Sequence, residues 1–394
     1  MKKNIKVSRN RIRKFITYLF IIFVLLTSGC RSRNAKENKE QGNFRNKIKY
    51  ASHLMIEESD DYSKLSVVNP WQKTSWTKFE YYLIRNKDNK PDVEDSSMVI
   101  YVPVKKIVLM STTYIPMISA LRVAESIKGV SGTNFIYDNE IRKMVSDGLI
   151  QDVGYEENLD KERIISIAPD LVVAYGVGSE TAGYSNKLRE LGIKVFFDAD
   201  YLEETPLGRA EWIKMFGALY CLQDRADSIF ENIESEYINL KLYIGNKVDS
   251  KPEVMLGLPW QNAWYITPGN SYLSNLIDDA GGNYIWKDIT ADYAMPMNIE
   301  NVFVKAENAE YWLNTGDASS LSQIYAIDRR YAFMQPVING NVYNNNKRIS
   351  PGGGNDYWES GTIKPHIILK DIASIIHPEL FDGYELFYYK KLEK

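Results

Sequence analysis

Asn158–Gly176 reads NLDKERIISIAPDLVVAYG, and this stretch decides the fold class. A charged start, Asp160-Lys161-Glu162-Arg163, leads into apolar Ile164, Ile165 and Ile167, and a Pro169-Asp170 turn feeds the all-apolar run Leu171-Val172-Val173-Ala174. That order predicts a helix, a turn and a fully buried strand. Buried strands of this kind belong to parallel sheets and deliver their C-terminal ends, here Tyr175-Gly176, to a cleft. A looser copy lies at Asn298–Gly316, NIENVFVKAENAEYWLNTG, where Glu300 takes the place of Glu162 and Tyr311-Trp312-Leu313 the place of the strand. Two such units far apart in one chain predict two similar lobes facing each other.

The flanking sequence extends the pattern. Lys106–Met110 (KIVLM) reads as a strand ending in Ser111-Thr112-Thr113-Tyr114, followed by a helix over Pro116–Ile127 and the turn Gly129-Val130-Ser131-Gly132 before Phe135. A helix near Asn139–Asp147 precedes the opening stretch; a helix at Ser185–Leu191 and a strand at Lys194–Phe197 follow it. Strands alternating with helices indicate an α/β fold with a parallel sheet. Thr205-Pro206 starts a helix that runs through Tyr220. Residues 224–246 read as one long helix with Ala226, Ile229, Phe230, Ile233, Tyr237 and Leu240 at three- and four-residue steps. Such a helix is about 30 Å long, enough to link two lobes. A second alternation then begins: a strand Glu253–Leu258, helices Ser271–Ala280 and Asn298–Ala306, strands Glu310–Leu313 and Asn341–Tyr343, and a closing helix Pro365–Ile376. The expected divisions are 106–223 for the first lobe, 224–246 for the linker helix and 247–394 for the second lobe. Residues 48–105 form a β-rich extension packed on the first lobe, with Asn86–Ser97 as a polar turn or hairpin loop.

The chain has 394 residues, of which 44% are hydrophobic, enough for two cores. Residues 1–14 hold seven Lys or Arg and no acid, and Phe15–Leu26 is a 12-residue apolar run ending in Thr27-Ser28-Gly29-Cys30. A bilayer span needs about 20 apolar residues, so residues 1–29 read as a signal peptide. The small residues before Cys30 resemble the lipobox at which a bacterial lipoprotein is cleaved and acylated. Residues 30–47 then form a polar, disordered tether. Removing residues 1–29 leaves 41 basic against 51 acidic residues, a formal charge of −10. That balance argues against nucleic acid as a partner. Cys221 is then the only other cysteine, so no internal disulfide is expected.

Catalytic signatures are missing. His53, His366 and His377 are widely separated and make no metal-ligand spacing. No Gly-x-Ser-x-Gly elbow occurs, and Gly352-Gly353-Gly354 lacks the Gly-Lys-Ser/Thr of a phosphate loop. Those glycines read instead as a tight turn that brings backbone close to a ligand or to the other lobe.

Taken together, the Glu162…Pro169-Asp170-Leu171-Val172 unit, Leu191–Val195, Leu276–Trp286 (LIDDAGGNYIW), the Glu300 unit and Trp358…Pro365–Ile368 resemble the substrate-binding lipoproteins of ABC importers for ferric siderophores, haem and cobalamin. The resemblance covers Lys106 to the C-terminus. It departs at Ile48–Val104, an added segment, and at Ala309-Glu310, where Pro-Asp is usual. It implies two Rossmann-like lobes with parallel sheets joined by a single long helix, the class III periplasmic binding protein fold. It also implies a monomer that does no covalent chemistry, needs no cofactor, and hands a ligand to an ABC permease and its ATPase. The expected ligand is an iron(III) chelate, with cobalamin or haem as the alternative. An enzyme or chelatase-like protein on the same fold is a further alternative, since fold does not fix function. Glu162 and Glu300 would dock on permease arginines. Thr113, Tyr114, Phe135, Tyr155, Tyr175 and Arg209 would face the ligand from the first lobe. Trp260, Trp264, Tyr265, Tyr293, Met295, Arg348, Asn355 and Trp358 would face it from the second. Arg209 and Arg348 would hold its carboxylate or catecholate oxygens. Acylation at Cys30 would anchor the protein in the cell envelope. Arg31-Ser32-Arg33-Asn34, with no acidic run, favours a periplasm-facing placement.

Overall fold

The computed structural model describes residues 45–394, apart from residues 60, 90, 94, 156–157, 177–185 and 262. The signal peptide, Cys30 and most of the tether therefore lie outside the described residues. Residues 45–101 build a sheet of their own from β1 (Arg45–Asn46), β2 (Leu54–Glu58), β3 (Tyr62–Val68), β4 (Lys78–Ile84) and β5 (Val99–Tyr101), in that order. Leu54, Ile56, Leu65, Val67, Tyr81 and Leu83 are buried, mostly at two-residue steps, as a sheet with one covered face requires. β4 and β5 pair in parallel, so the polar stretch 86–97 is a crossover rather than a hairpin loop.

Two buried carboxylates fix the start of this extension. Glu211 accepts hydrogen bonds from the backbone N–H groups of Lys49, Tyr50 and Ala51 at 2.6–3.0 Å and from Lys214 Nζ at 2.9 Å. Glu203 accepts from the N–H groups of Ser52 and His53 and from Trp212 Nε1. Farther along, the ring of Tyr81 lies 4.4 Å from that of Phe196, and its hydroxyl accepts the Phe197 N–H at 3.0 Å.

The next sheet comprises β6 (Ile107–Leu109), β7 (Ile127–Val130), β8 (Gln151–Asp152), β9 (Leu171–Tyr175) and β10 (Val195–Asp198). Its order is β10-β9-β6-β7-β8 and every pair is parallel. β7 was not expected, because the pattern from Pro116 reads as one helix to Ile127. The helix instead spans Ile115–Ala120, and Arg122 turns into the left-handed region at φ 56°. Few non-glycine residues go there, and the turn frees Ile127 and Val130 to pair with β6.

The opening stretch folds as its pattern requires. Asp160 caps the helix Lys161–Ile167 by accepting the Arg163 N–H, Ala168 ends it at φ 48°, and β9 follows fully buried except at Tyr175. The Asp170 carboxylate accepts the N–H groups of Lys105 and Lys106, which locks β9 to the start of β6.

The helix Gln223–Gly245 buries Ala226, Phe230, Ile233, Tyr237 and Ile244 along one stripe. It packs on the helices Ile213–Leu219 and Pro365–Ile376. Beyond it come β11 (Glu253–Leu256), β12 (Trp264–Ile266), β13 (Asn283–Tyr284), β14 (Met295–Met297), β15 (Tyr311–Leu313), β16 (Val342–Asn344) and β17 (Lys390–Lys391). The third sheet has the order β13-β11-β15-β16-β17 and is parallel except at β17, while β12 and β14 form a separate antiparallel ribbon. The second copy of the opening unit matches the first in detail. Asn298 caps the helix Ile299–Lys305, and Glu310 does for β15 what Asp170 does for β9, accepting the Glu253 N–H at the start of β11. The Ala309-Glu310 departure thus keeps the carboxylate and loses only the proline.

Candidate ligand-binding cleft

In each large sheet the strand order reverses beside the first strand, between β6 and β9 and between β11 and β15. Ligands of open parallel sheets bind outside the C-terminal strand ends at such points. The residues there are Ser111–Thr113 and Tyr175-Gly176 on one side, and Gly257 and Asn314–Gly316 on the other.

A cavity of about 610 Å3 opens beside these ends, lined from one side by Thr112 and Phe135 and from the other by Asn314, Asn345, Asn346, Asn355, Trp358 and Lys390, among others. Its wall is rich in neutral amides. Asn314 Nδ2 and Asn346 Oδ1 are buried and carry no hydrogen bond among the described residues. The formal charges of Lys390 and Asp317, both in the lining, cancel.

The two sides touch through glycine. A Cβ placed on Gly352 would lie 2.0 Å from the carbonyl oxygen of Asn134, and one on Gly354 would lie 1.8 Å from that of Phe135. Only glycine allows this approach. Beside it, the Glu359 carboxylate accepts the N–H groups of Tyr137 and Asp138, each at 2.9 Å. Burial, with Asp356 and Asp138 adding to it, pushes the Glu359 carboxyl up to about 7 from 4.5, against the pull of its two N–H donors. A carboxyl raised on folding contributes stability fully below its unfolded value and loses it as the pH rises through the folded one. Wild-type stability should therefore decline between pH 4.5 and 7, and Glu359→Gln should remove that part of the slope. Urea midpoints at pH 5 and pH 8 measure this; an unchanged difference between the two pH values in the variant would refute it.

Of the expected ligand contacts, the cavity gathers Phe135, Asn355 and Trp358. Thr112 lines it in place of Thr113, whose hydroxyl bonds Ser111 Oγ at 2.8 Å. Tyr155 packs its ring 6.3 Å from that of Phe135, and Tyr175 stands half-buried against Tyr201. Trp260, Tyr265 and Tyr293 are exposed on the β12–β14 ribbon, with Met295 half-buried beside them.

Four expectations are corrected. Trp264 is fully buried and donates to the Leu256 carbonyl, because alternation along β12 turns Trp264 and Ile266 inward and Tyr265 outward. Tyr114 is fully buried, with its ring 6.0 Å from Phe216. Arg209 is ion-paired with buried Asp200 at 3.0 Å. Arg348 is paired with buried Asp356 at 2.6 Å, and its guanidinium covers the rings of Tyr137 and Phe387. Each arginine thus commits its Nε to a buried carboxylate, which offsets its charge. The amides of Asn314, Asn345 and Asn346 were missed. Their signal was present, since all three lie within two residues of a strand end.

Glu162 and Glu300 are exposed in the first turns of equivalent helices, and Glu300 lies 3.7 Å from Arg330. Among the described residues, no cluster of three or more His, Cys, Asp or Glu is placed to hold a metal ion, and no helix is long and apolar enough to cross a membrane.

Comparison with known proteins adds an independent finding. Residues 107–348 match the model of a family described as periplasmic binding protein. An uncharacterised lipoprotein of Methanocaldococcus jannaschii is 29% identical over 409 aligned positions, covering 95% of each chain. A vitamin B12-binding protein of Salmonella typhi is 23% identical over 179 positions, 42% of this chain and 64% of the other. Among solved structures, a possible iron-binding (periplasmic solute-binding) protein from Staphylococcus epidermidis superposes with a TM-score of 0.55 at 18% identity, over 70% of this chain and 99% of that one.

Proposed function

We propose, from the premise that the chain belongs to the periplasmic binding protein family, that it captures a neutral, amide-rich metal chelate and delivers it unchanged to an ABC permease. The observation that carries this is the cavity wall. Its amides, Asn314, Asn345, Asn346 and Asn355, offer both donors and acceptors, while Arg209 and Arg348 are paired with Asp200 and Asp356. A wall whose formal charges cancel and whose other polar groups are mostly amides disfavours a strongly anionic guest, because several ionic oxygens would lose water without each gaining a cationic partner. Haem, with two carboxylates, and ferric tris-catecholates, with three net charges, fit this wall poorly. A corrinoid, ringed by carboxamides, fits it best, with Phe135 and Trp358 against its apolar faces. The vitamin B12-binding relative supports that choice. A ferric trihydroxamate, also uncharged overall, is the second reading, since it asks for the same amide wall. Titration of the full chain in detergent with cyanocobalamin, a ferric trihydroxamate, haem and a ferric tris-catecholate tests the reading. Saturable binding of one of the first two supports it; tight binding confined to the last two would overturn it.

Delivery is assigned to Glu162 and Glu300, which occupy matching positions in the two halves and are open to solvent. Exposed carboxylates held apart on a rigid frame set the orientation of docking by pairing with arginines. Reversing both, Glu162→Arg with Glu300→Arg, should abolish uptake in cells and leave chelate affinity unchanged. Loss of binding in the variant would reassign these residues. The lipoprotein relative supports an anchor at Cys30 and a place in the cell envelope.

A further inference from the structure

The loop 69–77, between β3 and β4, lies outside the residues shared with the family. The Asn69 N–H donates to the Thr77 carbonyl at 2.7 Å, and Asn69 Oδ1 accepts the Thr77 N–H at 3.1 Å, so the loop is closed at its base. Asn69, Lys73 and Trp76 all take positive φ, at 49°, 62° and 66°. Three non-glycine residues in that region mark a conformation imposed by its surroundings. Those surroundings are the cleft. Trp71 bridges to Gly176 at the end of β9, and a Cβ on Gly176 would lie 3.0 Å from that of Trp71. The Trp71 ring packs on Phe79 and Phe197, 5.8 and 5.3 Å away. Two residues on, Lys73 Nζ sits 5.0 Å from the ring centre of Tyr293, just before β14. The loop therefore spans from a strand end of the first large sheet to the aromatic ribbon beside the third. Trp76, next to the closed base, is 95% exposed.

We propose that this loop is a third wall of the ligand site, added to the two-lobed frame, in which Trp76 covers a flat face of the chelate and Lys73 meets a single peripheral anionic group. An indole held in water without a partner is unusual unless something covers it. The ammonium held over Tyr293 adds one cation on the loop's side of the cleft, which suits one anion and not several. The ligand half of this proposal rests on the corrinoid reading above; the bridging half does not.

Two measurements separate them. In a Cys221→Ser background, Lys73→Cys with Tyr293→Cys should be joined by a short bis-maleimide within one molecule, mapped by mass spectrometry before any ligand is added. Absence of that cross-link would overturn the third wall. Wild type, Lys73→Ala and Trp76→Ala are then titrated with cyanocobalamin and with dicyanocobinamide, which lacks the phosphodiester. Trp76→Ala should weaken both about tenfold, while Lys73→Ala should weaken cyanocobalamin to the level of the cobinamide and leave the latter unchanged. Wild-type affinities in both variants would overturn the ligand contacts. If the wild type binds neither corrinoid, the corrinoid reading fails, and the third wall stands or falls with the cross-link.

Discussion

Glu211→Ala should lower the stability of the chain by about 3–5 kcal/mol, the range for removing one partner of a buried charge pair. Glu211 is fully buried and takes three backbone N–H groups and the Lys214 ammonium at once. Truncation leaves three N–H donors without an acceptor and strips the Lys214 ammonium of its buried carboxylate, leaving it the Lys47 carbonyl. Each orphaned donor costs about 1–3 kcal/mol, though such costs do not simply add. The released segment 49–51 is what ties the extension to the helix Pro206–Glu211. The urea midpoint should fall, and the extension should become sensitive to protease first. Glu385→Ala is the contrast, because its own side chain is 88% exposed. Its loss should barely move the midpoint, since water screens a surface pair. Similar midpoints for the two variants would refute the anchoring role.

Gly354→Ala combined with Gly352→Ala should force the two sides of the cleft apart. The added methyl groups would meet backbone oxygens, not movable side-chain ends, at 1.8 and 2.0 Å. Overpacking of this kind costs about 1–3 kcal/mol, occasionally more. The cheaper response is separation, which breaks the Glu359 bonds to Tyr137 and Asp138 and draws Phe135 away from Asn355 and Trp358. Chelate affinity should drop about tenfold or more, equivalent to at least 1.4 kcal/mol. Small-angle scattering should show a larger radius of gyration. Gly245→Ala, at a helix end with nothing within 4 Å, should change neither quantity. A double variant as compact and as tight-binding as wild type would show that the close approach is not needed.

Much of the frame was legible because its signals are local. Asp160, Pro169 and the apolar run to Ala174 each act within a few residues, and the Asn298–Gly316 copy repeats their logic. The long helix was legible from its stripe. β7 was hidden because one left-handed residue, Arg122, breaks a helical pattern that is otherwise intact. The parallel pairing of β4 and β5 was hidden because pairing direction is a tertiary choice. At the cleft, Phe135, Asn355 and Trp358 were legible from strand-end logic. Arg209 and Arg348 were misread because their fate depends on Asp200 and Asp356, buried partners whose burial no local pattern reveals. Trp264 and Tyr265 were both assigned to ligand because a three-residue strand is too short to show its alternation. The amides of Asn314 and Asn346 lie just past the ends of β15 and β16, but no local pattern separates a cleft amide from an ordinary loop amide.

In the proposed site an amide wall, rather than a cationic one, holds the chelate. The most direct test is an equilibrium titration of the full chain and of Asn314→Leu with Asn346→Leu, using cyanocobalamin and a ferric trihydroxamate. Each lost amide contact is worth about 1 kcal/mol or more, so the double variant should bind the wild-type chelate at least about tenfold more weakly. Wild-type affinity in the double variant would contradict the account.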